Sequence, residues 1–359
     1  MCIRDSLRTS SDELPSVCQV ELKQRARRNR WIFAGVGAAL LAVGILAGVF
    51  VPQLVKWSGS LTSSARPAAV LAANSGAVWS LSFDPASDTV AMAVEDGTVR
   101  FWNWPKQAEQ AKFEAHVGVV WASKFLDGGK LLATAGDDGD LKIWDRKSLE
   151  PVATFSHPSA VRGLTIGPDG KLYAGDRKGG LHVWSPDSKE ALLTAQQPGA
   201  VYTLAISPDG QVLASAGSDK TIRLWHAATL KQRLPLEGHA GPIFGLSFNV
   251  AGDRLASAGW DGTIRVWDVA AGKLLHSWSG QSGDVWSIAY SPAGGQLATG
   301  GTDGSVRLWD ESGKLLATYL GHKTTVHAIA FNADGSLLAS GGRDGATRVW
   351  KIPHQPSGL

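Results

Sequence analysis

A chain of 359 residues with 42 glycines, 15 tryptophans and two cysteines has room for two average domains or for one large repeat architecture. Two cysteines exclude a disulfide framework, and without a Cys-x-x-Cys or a Cys/His cluster the sequence predicts no metal and no cofactor. The net charge of +3 is unevenly placed: residues 1–66 carry nine Lys/Arg against four Asp/Glu and the rest carry 26 against 28, so the larger part lacks the basic footprint of a nucleic-acid binder.

In chain order, the first six residues, MCIRDS, resemble the translation of a transposase adapter used in sequencing libraries, which places the true N-terminus upstream. An ordinary irregular start is the alternative, and residues 1–6, Cys2 included, are set aside from fold reasoning. Residues 1–30 are expected to form a cytoplasmic N-terminal segment. Residues 31–51, WIFAGVGAALLAVGILAGVFV, hold no charge, and as a helix rising about 1.5 Å per residue they match a hydrocarbon core of about 30 Å. Lys23, Arg25, Arg27, Arg28 and Arg30 precede the span and only Lys56 and Arg66 follow it closely. The positive-inside rule therefore puts the N-terminus in the cytoplasm and everything after Pro52 outside, as in a bacterial inner-membrane protein. Trp31 and Trp57 bracket the span at interfacial positions. A cleaved signal has an apolar region of about 7–15 residues, shorter than this one. A buried core helix would show a polar face, which is missing here. Residues 52–66 are a linker.

From residue 68 the chain repeats. Trp102, Trp144, Trp184, Trp225, Trp267, Trp309 and Trp350 each end a strand, at spacings of 40 to 42 residues. Six residues before each stands an aspartate (Asp96, Asp138, Asp219, Asp261, Asp303, Asp344), with Lys178 the exception. Every unit also holds a period-2 segment such as VWSLSF or VYTLAI, a turn such as SPDG or NADG, and then LASAG or LATGG. The alternation and the Gly/Pro/Asn/Asp turns predict a β-meander.

Residues 238–268, GHAGPIFGLSFNVAGDRLASAGWDGTIRVWD, resemble a WD repeat: Gly-His, Asp-Gly and Trp-Asp follow in order at the family's period. The resemblance covers residues 67–351 in seven copies. It implies an all-β, seven-bladed β-propeller, four strands per blade around a central channel; with the uncharged run read above, the expected fold is such a propeller preceded by a single transmembrane helix. The last unit lacks a fourth strand, because Pro353 and Pro356 break residues 352–359 into a short tail. The unassigned RPAAVLAANSG before the first unit aligns with a fourth strand, so residues 68–72 are expected to complete the last blade and close the ring.

The resemblance also implies a buried hydrogen-bonded tetrad of His, Ser/Thr, Asp and Trp. Complete sets are His116–Thr134–Asp138–Trp144, His239–Ser257–Asp261–Trp267 and His322–Ser340–Asp344–Trp350. Buried polar groups need partners, so these residues read as internally satisfied rather than as catalytic triads. In the first unit Asn74 and Met92 replace the His and the Ser/Thr. Ala174 and Lys178 replace the Ser/Thr and the Asp in the third, and Gln197 and Gln281 stand for the His in the fourth and sixth. These blades are expected to be tied less tightly.

No GxSxG, HExxH, GxxxxGK[ST] or EF-hand loop occurs, nor an Asn-x-Ser/Thr acceptor, so no catalytic residue is predicted. One pattern points to binding. The residue after the first apolar position of each inner strand is Trp79, Trp121, Arg162, Tyr202, Phe244, Trp286 or His327, types enriched in interface hot spots. Packing between blades is the competing reading. Glu95, Asp137, Arg177, Ser218, Trp260, Thr302 and Arg343, just before the turn positions, share that face as a polar border or as plain solvated turns. The expected function is a membrane-tethered scaffold binding an unidentified protein or peptide, held to the membrane through residues 31–51 and taking no nucleic acid. The alternative is the extracytoplasmic sensor half of a larger signalling protein, such as a membrane-spanning kinase, whose N-terminal domain is missing.

Overall fold

The computed structural model describes residues 66–72 and 76–352. The expectations placed on residues 1–65, on Asn74 and on residues 353–359 lie outside the described residues. Among the described residues no helix is long and apolar enough to cross a membrane.

Short alternating segments joined by tight turns pair with their chain neighbours, and the described residues form 28 strands in seven four-stranded antiparallel sheets. Blade 1 consists of Val78–Phe83, Thr89–Val94, Thr98–Asn103 and Ala108–Glu114, strands a to d, paired in chain order. Blades 2 to 6 repeat that order. Blade 7 takes strands a to c from Val326–Phe331, Leu337–Gly342 and Ala346–Lys351, and its fourth strand is Ala69–Ala72. Ala69 faces Val349 and Leu71 faces Thr347, and the Ala68 amide donates to the Val349 carbonyl at 2.7 Å. The outer edge of Ala346–Lys351 is thus covered. At the other boundary Ile352 is buried in the core beside Trp350 and donates its amide to the Ser336 carbonyl at 2.8 Å.

Each strand a lies beside that of the next blade, and Val326–Phe331 lies beside Val78–Phe83, so the inner strands form a closed ring. Burial falls outward. Strands b, such as TVAMAV and VLASAG, are buried throughout, whereas Ala108–Glu114 is largely exposed. Both faces of strand b are covered by neighbours, which is why its residues run apolar instead of alternating. They are also small, because the next blade leans on them: a Cβ at Gly341 would meet Val78 Cγ1 at 2.7 Å. The inner edges of the a strands face the channel, and serine hydroxyls of the neighbouring blade satisfy part of them. Ser80 Oγ accepts from the Ser123 amide (3.1 Å), Ser287 Oγ from Ile329 (3.1 Å) and Ser247 Oγ from Tyr290 (2.9 Å).

One irregularity recurs in every blade. Pairing of strands a and b slips between the first and third residues of strand a: Val78/Ser80, Val120/Ala122, Val161/Gly163, Val201/Thr203, Ile243/Gly245, Val285/Ser287 and Val326/Ala328. A bulge frees the residue it contains from the ladder and re-aims its side chain.

Candidate functional site

The residues inside the seven bulges are Trp79, Trp121, Arg162, Tyr202, Phe244, Trp286 and His327. All seven line the mouth of a central cavity of about 190 Å³. His327 is buried and the other six are half-buried. They touch one another around the ring. Trp79 stacks on His327 with centroids 4.0 Å apart and meets Trp121 edge-on at 4.7 Å. Phe244 stacks on Trp286 at 4.2 Å and on Tyr202 at 5.6 Å. Arg162 closes the circle as a cation between two rings, 4.0 Å from Trp121 and 4.6 Å from Tyr202. Open rim and packing between blades are therefore not exclusive here: the side chains pack on one another around the ring, and all but His327 leave part of their surface at the mouth.

The second ring is more than a border. Trp121 Nε1 donates to Asp137 Oδ1 at 3.1 Å and Trp286 Nε1 to Thr302 Oγ1 at 3.3 Å, which orients both indoles. Glu95 and Ser218 accept from the amides of Ala77 and Ala200, at 2.9 and 2.8 Å, and so fix the entries to their a strands. Trp260 lies over Phe244 at 6.4 Å and is 59% exposed, which makes it the most open aromatic of the face. These orienting bonds join residues 16 or 18 positions apart, a spacing with no local sequence signature.

The mouth is cationic. Burial lowers the Arg162 pKa to about 10, with Tyr202 and Asp137 opposing and Arg177 adding to the shift. Burial, reinforced by the charges of Arg343 and Arg162, takes His327 down to about 4, so it is neutral near pH 7 and can stack on Trp79.

The tetrads are a separate, internal set. His116 Nδ1 donates to Asp138 Oδ1 at 2.8 Å, its Nε2 meets Thr134 Oγ1 at 2.8 Å, and Trp144 Nε1 donates to the same hydroxyl at 2.8 Å. His239, Ser257, Asp261 and Trp267 repeat these bonds at 2.8 to 2.9 Å, as do His322, Ser340, Asp344 and Trp350. Serine and threonine hydroxyls already engaged on both sides are poor nucleophiles, and none of the tetrad residues lines the mouth.

The substituted blades differ among themselves. In blade 4 Gln197 Oε1 accepts from Ser215 at 2.5 Å, so the bond to the serine survives the exchange of His for Gln, while Gln197 Nε2 is buried without a partner and Asp219 pairs with Arg223 instead. In blade 6 Gln281 turns instead to the Ser305 carbonyl at 2.6 Å. Trp102 Nε1 of blade 1, opposite Met92, is buried without a partner. Blade 3 rebuilds the cluster from other residues: Trp184 Nε1 donates to His157 Nε2 at 3.1 Å, and Asp176, fully buried, accepts from the Lys178 and Gly180 amides at 2.7 and 3.0 Å. Asp176 stands two positions before the expected aspartate, so a fixed-spacing reading passes over it.

Among the described residues no group of three or more His, Cys, Asp or Glu could hold a metal. A family model described as WD domain, G-beta repeat matches residues 65–103, 107–145, 149–185, 189–226, 230–268, 272–310 and 313–351. No curated protein matches the chain.

Proposed function

The chain belongs to the WD-repeat family, and from that premise we propose that the bulged rim is the docking surface for a protein or peptide partner. Propellers of this family are typically protein-interaction scaffolds and generally not catalytic. The observation that carries the reading is the coincidence of structure and residue type: all seven bulges hold an aromatic ring, an arginine or a histidine. Such side chains offer large contact area at the centre of an interface, while the mixed second ring supplies a polar surround. The cationic mouth favours a partner that presents an acidic or electron-rich group. A random peptide library panned against the full-length protein tests this. Wild type should enrich a shared motif that Trp260→Ser no longer enriches, and enrichment of the same motif by Trp260→Ser would count against the rim.

We propose further that the propeller is tethered to a bacterial inner membrane through residues 31–51, with the N-terminus cytoplasmic. The uncharged run and the basic residues before it support this. Strand a descends from the rim, b returns, c descends and d climbs back, so Ala69–Ala72 begins on the face opposite the rim. A linker entering there would turn the rim away from the bilayer. Cysteines at Asp137 and Asp209 check the arrangement in intact membranes: a bulky thiol reagent should label Asp137→Cys faster, and preferential protection of that site would refute the orientation.

A further inference from the structure

Below the aromatic mouth the cavity wall is built from the seven a strands, in six of them from the second to fourth residues. The fifth position of strand a holds Ser82, Thr165, Ala205, Ser247, Ala289 and Ala330 in six blades, each opposite the middle of its strand b, and none of these six lines the cavity. In blade 2 it holds Lys124, opposite Ala133. Lys124 lines the central cavity, and no acidic residue lines it with Lys124. The Lys124 side chain is exposed, but the space it opens into is the channel, and the protein around that channel lowers the ammonium pKa through desolvation. Lys130, Lys142 and Lys171 reach carboxylates, while Lys124 makes no hydrogen bond or ion pair among the described residues. Arg162 above it meets only rings.

A channel lined by an ammonium and a guanidinium, with no carboxylate in its wall, focuses positive potential and concentrates anions. We propose that the channel is a binding site for a small oxyanion, a carboxylate or a phosphate, whose charge Lys124 neutralises from the wall. Thr203 and Ser287 hydroxyls also line the cavity and supply polar contacts of the right kind. A cavity of about 190 Å³ suits a molecule of a few heavy atoms. The contacts of Trp79 with Trp121, Trp286 and His327 crowd the mouth against a polypeptide segment, so a free small anion is favoured over the acidic side chain of a partner. The site is distinct from partner docking at the rim and does not depend on it.

The test uses the full-length protein with inorganic phosphate and acetate as separate probes, ionic strength held constant with chloride. With at least one probe, wild type should gain about 2–4 °C in Tm once the probe is several times its Kd, rising logarithmically thereafter, while Lys124→Met, which keeps the stem and loses the charge, gains nothing. A second measurement needs no variant. Reductive methylation by formaldehyde with cyanoborohydride as the hydride donor, read by mass spectrometry, should be slowed about fivefold at Lys124 when the probe stands at about four times its Kd, with surface lysines unaffected. Phosphate acting alone would assign a phosphate site, and acetate alone a carboxylate site. No gain in Tm with either probe, an equal gain in Lys124→Met, or unprotected Lys124 would overturn the proposal.

Discussion

At the scale of single residues the propeller contains its own substitution series. Thr134, Ser215, Ser257, Thr299 and Ser340 each accept a tryptophan indole, at 2.8 or 2.9 Å. Met92 cannot, and Trp102 Nε1 is left buried and unpartnered, while opposite Ala174 the indole turns to His157. The first blade thus shows what Thr134→Val should do in the second, where Trp144 Nε1 and His116 Nε2 would both lose a partner. Two buried orphans at roughly 1–3 kcal/mol each predict a loss of about 2–6 kcal/mol in chemical unfolding, and Thr134→Ser should keep most of it. The acid response also has residue-level causes. His157 and His327 are both pulled down to about 4, mainly by burial, so the unfolded chain binds their protons first and stability falls as pH drops from about 6.5 to about 4. For Asp138 burial acts upward, but the hydrogen bond and charge of His116 with two backbone amides outweigh it and bring the pKa to about 2. Asp261 and Asp344 are held low against burial in the same way, by His239 and His322. Stability from these carboxylates is present above about pH 4 and is lost as pH falls through their native values. Unfolding measured across pH should therefore show two acid losses, and His327→Phe should reduce the first alone. An unchanged first loss in that variant would show that His327 does not titrate as its burial requires.

At the scale of elements, what was legible depended on what repeats. The tryptophan and aspartate positions recur, so seven copies and their strand order could be read directly, and the missing fourth strand of the last unit pointed to the segment before the first. Ala69–Ala72 does pair there, with Ala69 and Leu71 buried and Val70 and Ala72 outward. The bulges were not legible, because the bulged residues are large and no glycine marks them; only their residue types drew attention. The second ring's hydrogen bonds and the blade 3 cluster escaped for a related reason: they are set by the third dimension and by a two-residue displacement. Lys124 carried no signal at all until the ring placed it on the wall of a cavity without a carboxylate. The closing strand gives an element-scale prediction. Leu71→Ala should cost about 2–5 kcal/mol, the usual range for a buried leucine, whereas Val70→Ser on the outward side should stay within about 0.5 kcal/mol. A chain beginning at residue 76 should melt well below one beginning at residue 64, and equal melting temperatures would sink closure by this strand.

At the scale of the whole molecule, a ring of blades stiffens seven bulges into one circular constellation. Each a strand is held by its own strand b and by the neighbouring a strand, so rim side chains from every unit converge on one mouth without a loop of their own. A face organised on paired strands needs little ordering when a partner docks, which lowers the entropic cost of recognition. Docking on the rim, as proposed, leaves the opposite face and the outer strands free of the partner. The direct measurement is the Kd of a library-selected peptide for four proteins: wild type, Trp260→Ser on the rim, Asp209→Ser on the opposite face and Leu234→Ser on an exposed outer strand. Loss of a hot spot of about 2 kcal/mol predicts roughly thirtyfold weaker binding for Trp260→Ser, with the other two unchanged. Wild-type affinity in Trp260→Ser together with a loss in either of the others would contradict it.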